Sequence, residues 1–184
     1  MEAKSGRCGP ASWAWAMQSG QSLIEFALGL PLLLLLIVNT VNFGGYFFAT
    51  ITVASAARGG SQYRVLGGAS IGAPAPPSAA QIFNIVTTDM SALLNSASLA
   101  VRVCTQTLDA SNNPTTTCDS VGTGSFTDPP SDTRPEGHLY ALAWVDVQYT
   151  YQPYIGALNF PALGIYTTLP PSTIRRQSVM RMLQ

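Results

Sequence analysis

The chain has 184 residues, enough for one modest domain plus an anchor. Nine basic and nine acidic side chains cancel, which excludes a global field able to recruit nucleic acid or an acidic surface. Charged residues make up only 10%, against ~25% in ordinary soluble domains, and the deficit is local: positions 26–57 hold no Asp, Glu, Lys or Arg.

Residues 1–20 (MEAKSGRCGPASWAWAMQSG) hold Lys4, Arg7, two Trp and several small residues without a clear period, and read as a leader peptide. From Gln21 to about Arg58 the chain reads as one helix, nearly all apolar over Phe26–Val38 and continuing through Phe43, Tyr46, Phe47, Phe48, Ile51 and Val53. At 1.5 Å per residue, roughly 38 residues span about 57 Å. A bilayer core needs only ~20 residues, so the second half projects beyond it. Pro31 removes a backbone donor and should bend the helix near its start, and Gly44-Gly45 is a second soft point. The expected stop is Arg58-Gly59-Gly60, or the later Gly67-Gly68. The segmentation is therefore a leader over 1–20, a transmembrane and assembly helix over 21–60, a Gly/Ala/Pro linker over 61–77 and an outer domain over 78–184.

Ser78 with Gln81 three residues on forms a capping box that starts a second helix. Ile82, Ile85, Val86, Met90, Leu93, Leu94 and Ala97 fall at spacings of three and four, giving it one core-facing side. After that the period becomes two. Leu99, Val101 and Val103 alternate with Ala100, Arg102 and Cys104 as a short strand, and residues 105–137 read as a long polar loop. Leu139, Ala141, Ala143, Val145, Val147, Tyr149 and Tyr151 then give the clearest strand, which Pro153 ends. Ser172–Leu183 is a weaker strand with Ile174, Met180 and Met182 on one side, and with Arg175, Arg176 and Arg181 read as a solvated face. The fold class is α+β: a long N-terminal transmembrane helix, then one helix laid on an antiparallel sheet of about three strands.

The informative constellation is Gly20, Gln21 and Glu25-Phe26 ahead of the apolar run. A carboxylate five residues into a membrane-inserting segment costs roughly 2.5–3.5 kcal/mol. One reading places Glu25 at the interface, where it snorkels. The other has the chain cut after Gly20, so that the new Gln21 amine, on this subunit or a neighbour, neutralises the carboxylate.

Gly20-Gln-Ser-Leu-Ile-Glu-Phe-Ala-Leu-Gly-Leu-Pro-Leu-Leu-Leu-Leu-Leu, then Asn42-Phe43-Gly44 and Ala54-Ser-Ala-Ala-Arg58-Gly59-Gly60, resembles the TadE-like proteins, minor pilins (pseudopilins) of tight-adherence, or Flp-type, pili. The likeness covers about residues 18–65, with Val179-Met180-Arg181 a short echo near the end. It implies a prepilin peptidase cutting between Gly20 and Gln21, Glu25 at position five of the mature chain, and other pilin and pilus-assembly subunits as partners. It also implies a single pass through the bacterial inner membrane with a cytoplasmic N-terminus, which the basic residues Lys4 and Arg7 before the span and Arg58 and Arg64 after it do not decide.

That topology places Cys104 and Cys118 in an oxidising compartment and separates them from Cys8. A bridge between them would close a 15-residue loop and stabilise by about 3 kcal/mol; the alternative is two unrelated thiols. Ala54-Ser55-Ala56 imitates a signal-peptidase site, so an ordinary secretory signal with a mature start at Ala57 competes, although the apolar stretch is far longer than the 7–15 residues typical of one.

No catalytic residue, cofactor or metal site is expected. His138 stands alone, and Asp128, Asp132 and Glu136 lie in a Pro-rich turn without a known calcium-loop pattern. No nucleophile elbow, phosphate loop or nucleotide fingerprint is present. The expected function is a membrane-anchored minor pilin contacting lipid, peptidase and pilus subunits but no nucleic acid. The alternative is an unprocessed single-pass membrane protein with an extracytoplasmic binding domain.

Overall fold

The computed structural model describes residues 12–67, 76–108, 111, 113–126, 140–156, 159–160, 165–166 and 168–183. Helix α1 (Ser12–Gly67) is a single element of 56 residues that runs through Gly20, Pro31 and Gly44-Gly45. It ends at the later of the two expected stops, so positions 61–67 belong to the helix and not to a linker. Glycine weakens an isolated helix by about 1 kcal/mol relative to alanine. At Gly60 tertiary packing overrides that preference: an added Cβ would meet Ile82 Cγ2 at 3.2 Å and Val86 Cγ2 and Val145 Cγ1 at 3.3 Å. The missing side chain is what lets α1 approach both the second helix and the sheet.

Helix α2 (Ala79–Asp89) starts as its sequence dictates. The Ser78 hydroxyl accepts from the Gln81 amide at 3.3 Å, and the Gln81 side chain accepts from the Ser78 amide at 2.9 Å. It stops short of the periodic pattern. Met90 and Leu93 are buried beyond its end, but Leu94 is exposed and Ala97 lies in a 3₁₀ turn over Ser96–Ser98. Asn95, with φ 65° and ψ 36°, turns the chain there, a left-handed conformation that asparagine tolerates better than most residues.

Four strands form one antiparallel sheet in the order β2-β1-β3-β6: β1 (Leu99–Leu108), β2 (Pro114–Gly122), β3 (Tyr140–Tyr151) and β6 (Ser172–Leu183). A separate two-stranded ladder pairs β4 (Asn159–Phe160) with β5 (Ile165–Tyr166). The sheet has one strand more than expected. Strand β2 lies in what reads from sequence as a loop, because Pro-Thr-Thr-Thr-Cys-Asp-Ser is polar and exposed along its length and so shows no alternation.

Both helices cover the same face of the sheet, α1 over β3 and β6 and α2 over β1 and β2. Leu99, Val101 and Val103 of β1, Val145 and Val147 of β3 and Ile174 of β6 meet Val53 and Ala56 of α1 and Ile82 and Val86 of α2. The opposite face is not simply solvated. Cys104, Leu142, Trp144 and Asp146 are all buried there.

Candidate anchor and assembly site

Every residue from Gln21 to Ile37 is exposed, and Val38 is the first after them to be buried. A core helix of a soluble domain buries one stripe; this one presents Leu and Ile on all sides, and residues 21–67 are long and apolar enough to cross a membrane. The few polar side chains in the run are satisfied within the helix. Asn39 Nδ2 donates to the Leu35 carbonyl at 2.9 Å and Thr40 Oγ1 to the Leu36 carbonyl at 2.8 Å, as hydrocarbon surroundings require.

At its N-terminal end, Gln21 and Glu25 share a face. Gln21 Nε2 donates to Glu25 Oε1 at 3.4 Å across one helical turn, with Phe26 exposed beside them. Gly20 is inside the helical segment, so the Gly20–Gln21 peptide bond belongs to the same continuous helix as Glu25.

From residue 38 the helix acquires a buried stripe of small residues: Asn42, Gly45, Ala49, Val53, Ala56, Ala57, Gly60 and Ser61. Small side chains allow close approach, and the polar ones are paired. Asn42 is fully buried and mimics a strand neighbour: Nδ2 donates to the Ile155 carbonyl at 3.1 Å, and Oδ1 accepts from the Ile155 amide at 3.1 Å. Tyr151 donates its hydroxyl to the Asn42 carbonyl at 2.8 Å. Gly45 has no room for a side chain, since an added Cβ would overlap the Tyr154 ring and sit 2.9 Å from the Tyr151 oxygen. Farther along, Ser61 and Ser178 hydroxyls meet at 2.8 Å, and Arg64 donates to the Pro77 carbonyl and to Thr105 Oγ1. Burial raises the phenols of Tyr149 and Tyr151 above their ordinary value, with neighbouring tyrosines adding to the effect.

This clasp was not visible from sequence, where Asn42 stood only as part of the Asn42-Phe43-Gly44 likeness. The available signal was an amide side chain at the end of a long apolar run, a residue that must find partners. The clasp also bears on the secretory-signal alternative: cleavage before Ala57 would strip Asn42, Ala49, Val53 and Ala56 out of the packed domain.

In the sheet, Cys104 and Cys118 are direct partners across β1 and β2, and their sulfurs are bonded at 2.05 Å. On the same face Asp146, fully buried, accepts from Arg102 Nη2 at 2.9 Å and from Arg175 Nη2 at 2.6 Å and Nε at 3.0 Å. Phe126 lies over both guanidinium groups, at 4.8 and 5.5 Å from its ring centroid. Arg175 is thus an ion-pair partner of a buried carboxylate, not part of a solvated face. Sequence reading went wrong because the partner is on another strand. Arg176 is exposed, as expected.

Among the described residues no group of three or more His, Cys, Asp and Glu side chains could hold a metal. Asp128, Asp132, Glu136 and His138 lie outside the described residues, as does Cys8.

Residues 20–62 match the family model described as TadE-like protein. The match opens on Gly20, runs the length of the exposed segment and ends in the stripe that packs on the sheet; α2 and the sheet lie beyond it. No curated protein and no solved structure matches the chain.

Proposed function

We propose that this protein is a minor pilin of a Tad-type pilus, held in the inner membrane by α1, cut by a prepilin peptidase between Gly20 and Gln21, and carried into the pilus through the same helix. One observation supports this above the rest: the segment that matches the TadE-like family is one uninterrupted helix, bare and apolar over 21–37 and packed into the domain over 38–61. Such a subunit can move from lipid into a bundle of like helices without rearranging its domain. Beyond the hydrocarbon length, Phe47, Phe48 and Ile51 stay exposed on α1, at 61%, 49% and 69%, and offer apolar surface to neighbouring subunits. After cleavage the Gln21 amine would sit one turn from Glu25, where it or a neighbour's amine neutralises the carboxylate as the helix enters an apolar assembly.

N-terminal sequencing of the protein from cells with and without a prepilin peptidase tests the processing step. Gln21 as first residue only in the peptidase-positive strain is the expected result. A chain that still carries the residues before Gln21 in both strains refutes it and favours an unprocessed single-pass protein.

A further inference from the structure

The loop that clasps α1 lies at the level where the span ends. From Gln21 to Asn42 the helix rises about 31 Å, close to the ~30 Å of a bilayer hydrocarbon core. With the hydrocarbon taken to begin at Gln21, Asn42 lies at its upper boundary, and it is the residue whose side chain pairs with the backbone of Ile155. Gly45, against which the Tyr154 ring packs, is about 4.5 Å higher, within the headgroup layer. Tyr154 and Ile155 are nevertheless exposed, at 48% and 37%. Two large exposed side chains on a loop fixed at that height face headgroups, not bulk water.

Composition agrees. From Val147 to Ile174 the chain has no Asp, Glu, Lys or Arg, the longest charge-free run besides that of the anchor. Aromatic residues crowd the same level. Tyr46 stacks edge-to-face with Phe47 at 6.1 Å and with Tyr151 at 5.5 Å, and Phe43 and Phe47 are exposed on the helix. Tyrosine with an apolar neighbour is the composition of an interfacial belt, where the ring is buried among acyl ends and the hydroxyl stays wet.

We infer that the loop Gln152–Gly156 is a second membrane contact, a foot through which Tyr154 and Ile155 rest in the headgroup region of the bilayer that α1 spans. A helix alone leaves α1, with the domain packed on it, free to tilt. A foot beside it, joined to Asn42, fixes that tilt and the height of the domain above the bilayer. The inference rests on the membrane-anchor reading, and the experiment separates the two.

Single cysteines at Ile155→Cys, Tyr154→Cys, Leu33→Cys and Gln62→Cys, each in a Cys8→Ser background, are labelled with an environment-sensitive fluorophore in the full chain. The labelled proteins are placed in phosphatidylcholine/phosphatidylglycerol vesicles. Leu33 reports the span, and Gln62, exposed and about 30 Å above Asn42, reports bulk water. The expected result is a blue-shifted emission and loss of iodide quenching at positions 154 and 155, with quenching by lipids spin-labelled near the headgroup. Iodide quenching at 154 and 155 equal to that at 62, with 33 protected, overturns the foot alone. Iodide quenching at 33 overturns the anchor and the foot with it. Protection at 154 and 155 that disappears when the protein is diluted in lipid identifies a second copy as the occupant and also overturns the foot.

Discussion

Replacing Asp146 by Asn removes the carboxylate that, among the described residues, pairs with both Arg102 and Arg175. The carboxylate is fully buried, and the side chains of Arg102 and Arg175 are 8% and 32% exposed. Removing one member of a buried ion pair costs about 3–5 kcal/mol. The larger share falls on Arg102, since Arg175 is about one-third exposed and its pairing is screened by water. Asp146→Asn should therefore lose about 3 kcal/mol or more, a large part of the 5–15 kcal/mol that holds a typical domain together. Arg175→Met should cost about 1 kcal/mol, with Arg102→Met between the two, because each leaves Asp146 one partner. A triple variant, Arg102→Met, Asp146→Leu and Arg175→Met, should recover most of the loss by replacing ions with apolar volume. Urea unfolding of the full chain in detergent, followed by fluorescence of the fully buried Trp144 with Trp13 and Trp15 changed to Phe, measures each value. A midpoint for Asp146→Asn equal to that of the parent, or a triple variant less stable than Asp146→Asn, would refute the account of this cluster.

Reducing the Cys104–Cys118 bond should lower stability by about 3 kcal/mol, the loop-closure value for 15 residues; intact mass after alkylation with and without reductant checks the bond, and the urea midpoint checks its worth. Gly60→Val should destabilise by about 1–3 kcal/mol through overpacking against Ile82, Val86 and Val145, whereas Gly29→Ala, with open space around it, should not lower the midpoint. Glu25→Ala should leave membrane insertion intact and abolish incorporation into pili, read by fractionating sheared surface filaments from membranes; normal incorporation would rule out the pairing of Glu25 with the Gln21 amine.

What the sequence by itself determined was whatever local chemistry controls. A continuous apolar helix long enough to cross a bilayer is written in consecutive residues, and the Ser78–Gln81 box starts a helix because both partners lie within one turn. Alternation over residues 141–151 marks a strand for the same reason, as its period is written in consecutive residues. Tertiary structure alone decided features whose partners are distant in sequence. Strand β2 exists because β1 offers it a ladder and Cys104 lies opposite Cys118, although its own residues are polar on both sides. Arg175 turns inward because Asp146 on the adjacent strand requires a counter-charge, and α1 runs past Gly59-Gly60 because Ile82, Val86 and Val145 need backbone close to them. Asn42 gains its role only when the chain returns at Ile155, 113 residues later. Non-local pairing leaves no periodic trace in the sequence, and it is what joins the anchor to the domain.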